Sequence, residues 1–365
     1  GVDRTGTHRV IPCLLWLIER MAAAGDEVHV FAAAQEPEPG RWTLLGAQVH
    51  NVGRRPVRLR TLRALAAEHR RGRFDVLHAF WIPSGTVAAA ARLLLRVPVV
   101  LHMPGGDVTR LPEIGYGGVL TWRGRMAVRT AVAAAERVLA PSAYVVAQAA
   151  ALGIRTERVP FGVALDRWPP AAPRARNPGE PARLLHVGSL NRVKDQGTLL
   201  RAAAILRDRG IAFQLDVIGQ DTLGGAVQRQ AAEMGLDGHV RFHGFLPQAA
   251  MRPWVQAAHL LLVTSRHEAG PLVLLEAAVA GVPTVGTAVG HLADWPADAC
   301  ATVPVGDAAA LARETARLLA DDGARMRMAA RAQALALAED ADWTAGRVRE
   351  IYGEVIEGRS SRRGT

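Results

Sequence analysis

Lysine is almost absent from this chain. Of its 44 basic residues one is a lysine, Lys194, and the rest are arginine. A compact ammonium and a wide planar guanidinium do different work, so a single lysine points to a place where arginine will not serve. Cysteine is scarce too: Cys13 and Cys300 are the only two in 365 residues. They lie far apart and without metal-ligand spacing, which excludes a disulfide framework and fits a reduced, cytoplasmic setting. Cys13, in an apolar helix, reads as a core residue. Aromatic residues make up 5% and no nucleic-acid-binding motif occurs, so a nucleic-acid partner is disfavoured despite the net charge of +10. Nothing near the start approaches the ~20 apolar residues of a spanning helix. The apolar run from Val10 to Ile18 stops at Glu19 and lacks a signal-peptide cleavage pattern. A soluble chain is expected. No Gly-x-Gly-x-x-Gly is found, and Gly115 to Gly118 has the wrong spacing, which disfavours a dinucleotide oxidoreductase.

What is present is length and alternation. A chain of 365 residues predicts two domains, each with its own core. The first part reads as loop, helix (about 7–24), strand (about 27–33), strand at 47–52, a basic helix at about 59–71 and a buried strand at 74–79. A helix at 84–95, a strand at 97–102, a long loop, a helix at about 121–135, a strand at 137–140 and a short helix after Ser142 follow. A strand is the usual opening of such a domain, and none precedes the first glycine loop here, so the first domain is expected to be one strand short. Between Pro160 and Pro181 the composition turns to proline and alanine without periodicity, a linker signal. Alternation then restarts with strand 183–188, helix 196–208, strand 213–218, helix 224–235 and strand 239–243. Helix 248–257, strand 259–264, helix 271–281 and strand 283–286 come next, then three helical segments from about 307 to 357. The pattern predicts parallel sheets covered on both faces, in two doubly wound α/β domains with a ligand cleft between them. The expected boundaries are 1–165 for a first domain, 166–182 for a linker, 183–340 for a second domain and 341–365 for a terminal helix and tail. Charge is uneven: residues 1–170 hold 22 arginines against 13 acidic residues, and the remainder 22 basic against 21. The densest cluster is Arg54, Arg55, Arg58, Arg60, Arg63, Arg70, Arg71 and Arg73. A solvated face, an anionic membrane surface and an acidic substrate all suit it.

The chemistry is densest at residues 264–286, TSRHEAGPLVLLEAAVAGVPTVG. Pro271 suits a first helical position, and Gly281 followed by Pro283 is a stop. Between them one polar side chain, Glu276, interrupts an apolar helix. Such a helix is buried, and a buried carboxylate needs a partner. No basic residue falls within helical reach, so a ligand hydroxyl is a natural one. The opening at Gly270, Pro271, Leu272 and Val273 leaves backbone N–H groups free for an anion. The second element is RLLHVGSLNRVKDQGTLL, 183–200, where a strand runs into Gly188, Ser189, Asn191, Arg192 and Lys194. Ligands of open α/β sheets sit at such strand ends. A glycine there admits a diphosphate and a cation neutralises it.

These stretches resemble the retaining glycosyltransferases of family 4, glycosyl transferases group 1. The carrying features are Glu268 and Glu276 seven residues apart, VGSLNRVKDQGTLLRAA, the Ile218-Gly219 turn, RFHGFLP at 241–247 and GVPTVGTAVG at 281–290. FDVLHAFW, APSAYV and VPFGVALDRW match in the first half. The resemblance implies the GT-B fold: two Rossmann-like doubly wound domains facing a central cleft. It implies transfer of a sugar, with retention, from a nucleoside diphosphate sugar to an acceptor hydroxyl on a polysaccharide, a glycolipid or a small molecule. It implies that Glu276 takes the ribose hydroxyls and Glu268 the transferred sugar. Lys194, Arg192 and the backbone of Gly270 to Val273 would take the diphosphate, with Gly188, Ser189, Gly219 and Phe245 around the nucleotide. The donor would be a UDP-, GDP- or ADP-sugar, with no cofactor and no metal. Asp340 and Asp342, an Asp-x-Asp in a helical stretch, read as surface. Cell-envelope polysaccharide synthesis in bacteria is the expected setting, with peripheral contact at the inner membrane face. Ser189 stands where the family often has arginine, and Arg192 is the expected substitute. His102 is displaced by two positions from the family's His-Gly-x-Asp relative to Asp107, and is the candidate on the acceptor side. His78 matches the first histidine of a His-x-His whose second place is Phe80. A GT-B nucleotide-sugar epimerase and a non-catalytic nucleotide-sugar-binding protein are the alternatives.

Overall fold

A computed structural model describes residues 1–8, 10–177 and 179–363, with side chains through residue 358. The last two positions of the expected tail, Gly364 and Thr365, lie outside the described residues. The chain divides into two units, Gly1–Phe161 with Ala341–Thr365, and Gly162–Asp340.

In the first unit α1 (Pro12–Ala23) buries Leu14, Leu15, Trp16, Leu17 and Met21 and has a proline in its first turn. Next come β1 (His29–Ala32), β2 (Gly40–Leu44) and β3 (Ala47–Asn51), with β3 parallel to β1 and antiparallel to β2. The sequence reading has no β2. Its hairpin turns on Leu45 and Gly46, both at positive φ (51° and 81°), which suits a two-residue turn but places an unusual leucine in it. The basic helix α2 (Val57–Arg71) keeps its arginines exposed. A second sheet holds β4 (Leu77–Phe80), β5 and β6, linked by α3 (Trp81–Leu95) and α4 (Trp122–Ala133). The strands β5 (Val99–His102) and β6 (Arg137–Ala140) are followed by α5 (Ala143–Ala150) and a short β7 (Glu157–Arg158). The order is β4-β5-β6-β7, all parallel. All of β5 is buried, as expected for a strand covered on both faces. The last helix of the chain, Ala341–Arg363, sends Val348, Ile351 and Val355 into the core with Leu14, Leu17, Met21, Val100 and Leu139.

The second unit is one six-stranded parallel sheet. Its elements are β8 (Ala182–Val187), α6 (Gln196–Asp208), β9 (Phe213–Ile218), α7 (Ala226–Glu233), β10 (Val240–Gly244), α8 (Gln248–Ala257) and β11 (Leu260–Val263). Then follow α9 (Leu272–Val279), β12 (Thr284–Thr287), α10 (His291–Asp294), β13 (Ala301–Val303), α11 (Ala308–Ala320) and α12 (Asp322–Ala338). The order β10-β9-β8-β11-β12-β13 reverses direction between β8 and β11. Loops leaving the carboxyl ends of those two strands diverge, and the crevice there is where open α/β sheets bind ligands. Residues 166–182 lie inside this unit rather than between two. Ala171 N–H bonds Val279 C=O at 3.1 Å, and Arg176 N–H bonds the Asp322 carboxylate at 3.1 Å. The stretch lacks a period because it is an extended strap held by its arginines and backbone.

Candidate active site

The loop after β8 is built to hold Lys194. Asn191 folds it, its Oδ1 accepting from Val193 N–H and Lys194 N–H at 3.0 Å each. Thr264, just past β11, donates its hydroxyl to the Lys194 carbonyl at 2.8 Å. Arg266 binds the Asp195 carboxylate at 3.1 Å, and its N–H reaches Val193 C=O at 2.7 Å. Beneath the loop, Gln196 is buried; its amide donates to Ser189 C=O at 3.1 Å and to His186 Nε2 at 3.2 Å, and its Oε1 accepts from Asn191 N–H at 3.3 Å. His186 donates from Nδ1 to Leu262 C=O at 2.9 Å, and burial holds it neutral, its pKa lowered to about 4. A cation on a flexible stem is thereby anchored to both strands that flank the switch point.

Gly188 and Gly219 meet at the ends of β8 and β9. A Cβ on Gly219 would stand 2.0 Å from the Gly188 carbonyl oxygen, so no larger residue fits there without moving the loops. Gly188 N–H bonds Ile218 C=O at 2.9 Å and Gly219 N–H bonds Gly244 C=O at 2.8 Å. Ser189 is half-buried beside them, Arg192 is exposed on the loop, and Phe245 is exposed just past β10.

The loop after β11 brings Glu268 to Lys194. Lys194 Nζ and the Ser265 hydroxyl each lie 2.5 Å from Glu268 Oε1. α9 starts from Pro271, and Leu274 N–H turns back to Pro271 C=O at 3.1 Å. The N–H groups of Leu272 and Val273 at the helix mouth have no intrahelical acceptor. One turn on, Glu276 is buried, and the indole N–H of Trp168 fixes its backbone carbonyl at 2.8 Å. Among the described residues its carboxylate takes one hydrogen bond, from the Gln248 amide at 2.5 Å. Burial pushes its pKa up to about 7, with the Gln248 hydrogen bond opposing.

The second unit thus carries Lys194, Arg192, Gly188, Ser189, Gly219, Phe245, Glu268, Gly270, Pro271, Leu272, Val273 and Glu276. The first carries His102, which lies buried on β5 with its ring 4.4 Å from that of Phe161 and is held neutral by burial. Four residues escape the sequence reading. Gln248, Gln196, His186 and Ser265 are common polar types without a motif, and only the fold shows what they touch. Among the described residues one histidine–carboxylate cluster has ligating spacing: His29, His50 and Glu68. A ring nitrogen of His29 and one of His50 lie 3.0 Å apart, with ring centres 5.1 Å apart and the rings nearly parallel. The two nitrogens share one hydrogen bond, and Glu68 is held by Arg41 and Arg71.

The described fold is that of GT-B glycosyltransferases. Sucrose-phosphate synthase from Thermosynechococcus elongatus superposes with a TM-score of 0.82 at 21% identity, covering 94% of this chain and 92% of that one. HepE of Anabaena, in complex with UDP-glucose, gives 0.74 at 20% identity over 94% and 95%. Residues 171–335 match the family described as Glycosyl transferases group 1, and residues 10–162 the Glycosyl transferase 4-like domain. A D-inositol 3-phosphate glycosyltransferase of Catenulispora acidiphila is 33% identical over 80% of this chain and 75% of its own length. The chain belongs to the family 4 glycosyltransferases, glycosyl transferases group 1, and is a glycosyltransferase.

Proposed function

We propose that the chain transfers a sugar from a nucleoside diphosphate sugar to an acceptor hydroxyl, with retention and without a metal. The observation that carries this is the set of groups at the β8–β11 switch point: a lone lysine beside Glu268, an open helix mouth and a buried carboxylate one turn further. Glu276 takes the ribose hydroxyls, and Glu268 the hydroxyls of the transferred sugar. The anomeric carbon–oxygen bond to the diphosphate breaks, a bond to the acceptor oxygen forms, and the acceptor proton passes to the leaving diphosphate. Negative charge grows on that leaving group, and Lys194, Arg192 and the N–H groups of Gly270 to Val273 stabilise it electrostatically. Gly188 and Gly219 let the backbone approach the phosphates, with Ser189 beside them, and Phe245 borders the base. HepE was captured with UDP-glucose, which makes a UDP-sugar the first donor to try.

Charge supports one class of acceptor. The first unit carries the arginine excess, and the Catenulispora relative is named for D-inositol 3-phosphate, a phosphorylated polyol, so an acceptor bearing phosphate fits. No described helix is long and apolar enough to cross a membrane. Peripheral contact with anionic lipid through the arginine-rich α2, in the cytoplasm, completes the reading. His102 stays a buried residue near the acceptor side, without an assigned chemical step. The test is Lys194→Ala, which is expected to lower turnover of the cognate donor by well over tenfold, as loss of one preorganised charge in such a site does. Near-normal turnover would remove Lys194 from the diphosphate site.

A further inference from the structure

We propose that Gln248 is a donor-binding residue that reads the ribose diol together with Glu276. This rests on the reading of Glu276 as the ribose ligand. Ionised, as two hydroxyls donating to it favour, the Glu276 carboxylate only accepts hydrogen bonds, whereas each ribose hydroxyl both donates and accepts. Glu276 alone therefore leaves the hydroxyl oxygens without a protein donor. Gln248 supplies what is missing. One N–H of its amide holds Glu276 Oε1 at 2.5 Å. Its second N–H and its carbonyl make no hydrogen bond among the described residues, and the side chain is half-buried rather than sealed in the core.

Its position is fixed by the backbone. Gln248 is the first residue of α8, directly after Pro247, which caps the helix in an extended conformation (φ −60°, ψ 153°). Proline locks that φ, so the amide enters from a rigid corner, while Glu276 enters from α9, whose carbonyl at the same residue is pinned by Trp168. The two side chains come from separate elements and meet at a single oxygen, which orients the carboxylate and leaves its other oxygen for a ligand. The result is an acceptor and a donor side by side, the complement of a vicinal diol.

The experiment ranks UDP, GDP and ADP by calorimetry on the full chain, then compares the tightest with its 2′-deoxy and 3′-deoxy counterparts. Wild type is expected to prefer the ribonucleotide. Gln248→Met, which keeps the volume but not the hydrogen bonds, is expected to lose roughly three- to tenfold in ribonucleotide affinity. Affinity for at least one deoxynucleotide should stay unchanged, so the preference narrows. Gln248→Ala, at a half-exposed helix start, checks that the effect is not a packing artefact, and thermal melts check folding. Equal losses for ribo- and deoxynucleotides, or no loss at all, would overturn the inference while leaving the donor site standing. A wild-type chain that binds none of the three nucleotides would overturn the functional reading itself and this inference with it.

Discussion

A carboxylate carried into an apolar interior loses its hydration, and what it finds there decides whether it stays charged. Glu276 finds a neutral amide, and its pKa is raised to about 7 from an ordinary 4.5. The sign follows: folding favours the protonated form, so the stability attached to this proton is complete below about pH 4.5 and is lost as the pH rises through 7. The shift corresponds to roughly 3 kcal/mol. The melting temperature of the ligand-free wild type relative to Glu276→Gln should therefore fall as the pH is raised from about 4.5 to about 8. The comparison within one pair cancels the other titrating groups. A difference that is flat with pH would mean that the carboxylate is not held neutral by burial. Glu276 is legible in the sequence because it is the lone polar residue of an apolar helix, and Lys194 because it has no like elsewhere. Gln248 is not legible. A glutamine at a helix start looks like any surface residue until the fold places Glu276 beside it.

Among the elements, those with strong periodicity match closely: α6, β9 and α8 lie where alternation and apolar spacing put them. The misses have particular causes. β2 depends on a hairpin turn with leucine at positive φ, where sequence reading expects asparagine or glycine. The strap at 166–182 reads as a linker because its order comes from arginines reaching α11 and α12 rather than from a pattern of its own. The Lys194 loop shows the same dependence on tertiary partners, since its shape comes from Gln196 below and from Thr264 and Arg266 beside it. The eight arginines between residues 54 and 73, five of them on α2, are legible as a charge cluster, and the structure leaves all eight exposed together with Leu59. A basic helix with an apolar residue among its charges suits an anionic interface. Each arginine near such a surface contributes about 1 kcal/mol. Reversing Arg58, Arg60 and Arg63 to glutamate should abolish sedimentation with phosphatidylserine vesicles at low salt and leave the circular dichroism spectrum unchanged. Binding that survives the reversal would remove α2 from membrane contact.

For the whole molecule, two units of α/β architecture divide the labour visible in their charge and chemistry. The second collects Lys194, Glu268, Glu276 and the glycine contacts of Gly188 and Gly219 at one switch point. The first carries the surplus of positive charge and a buried histidine, His102. The alternation of strands and helices made the number and class of the units legible. Their boundaries were less so, because the last helix returns to the first unit through Val348, Ile351 and Val355, a contact between residues far apart in sequence. Nucleotide binding alone would not establish the proposed activity, since transfer requires the chain to deliver the sugar to a second molecule. The measurement that bears on this most directly follows nucleoside diphosphate release from a UDP-sugar, with and without an inositol phosphate acceptor, together with the anomeric configuration of the product by NMR. The account predicts release that rises with acceptor concentration and a product that keeps the donor's anomeric configuration. Release indifferent to every phosphorylated or sugar acceptor, or a product of inverted configuration, would contradict it.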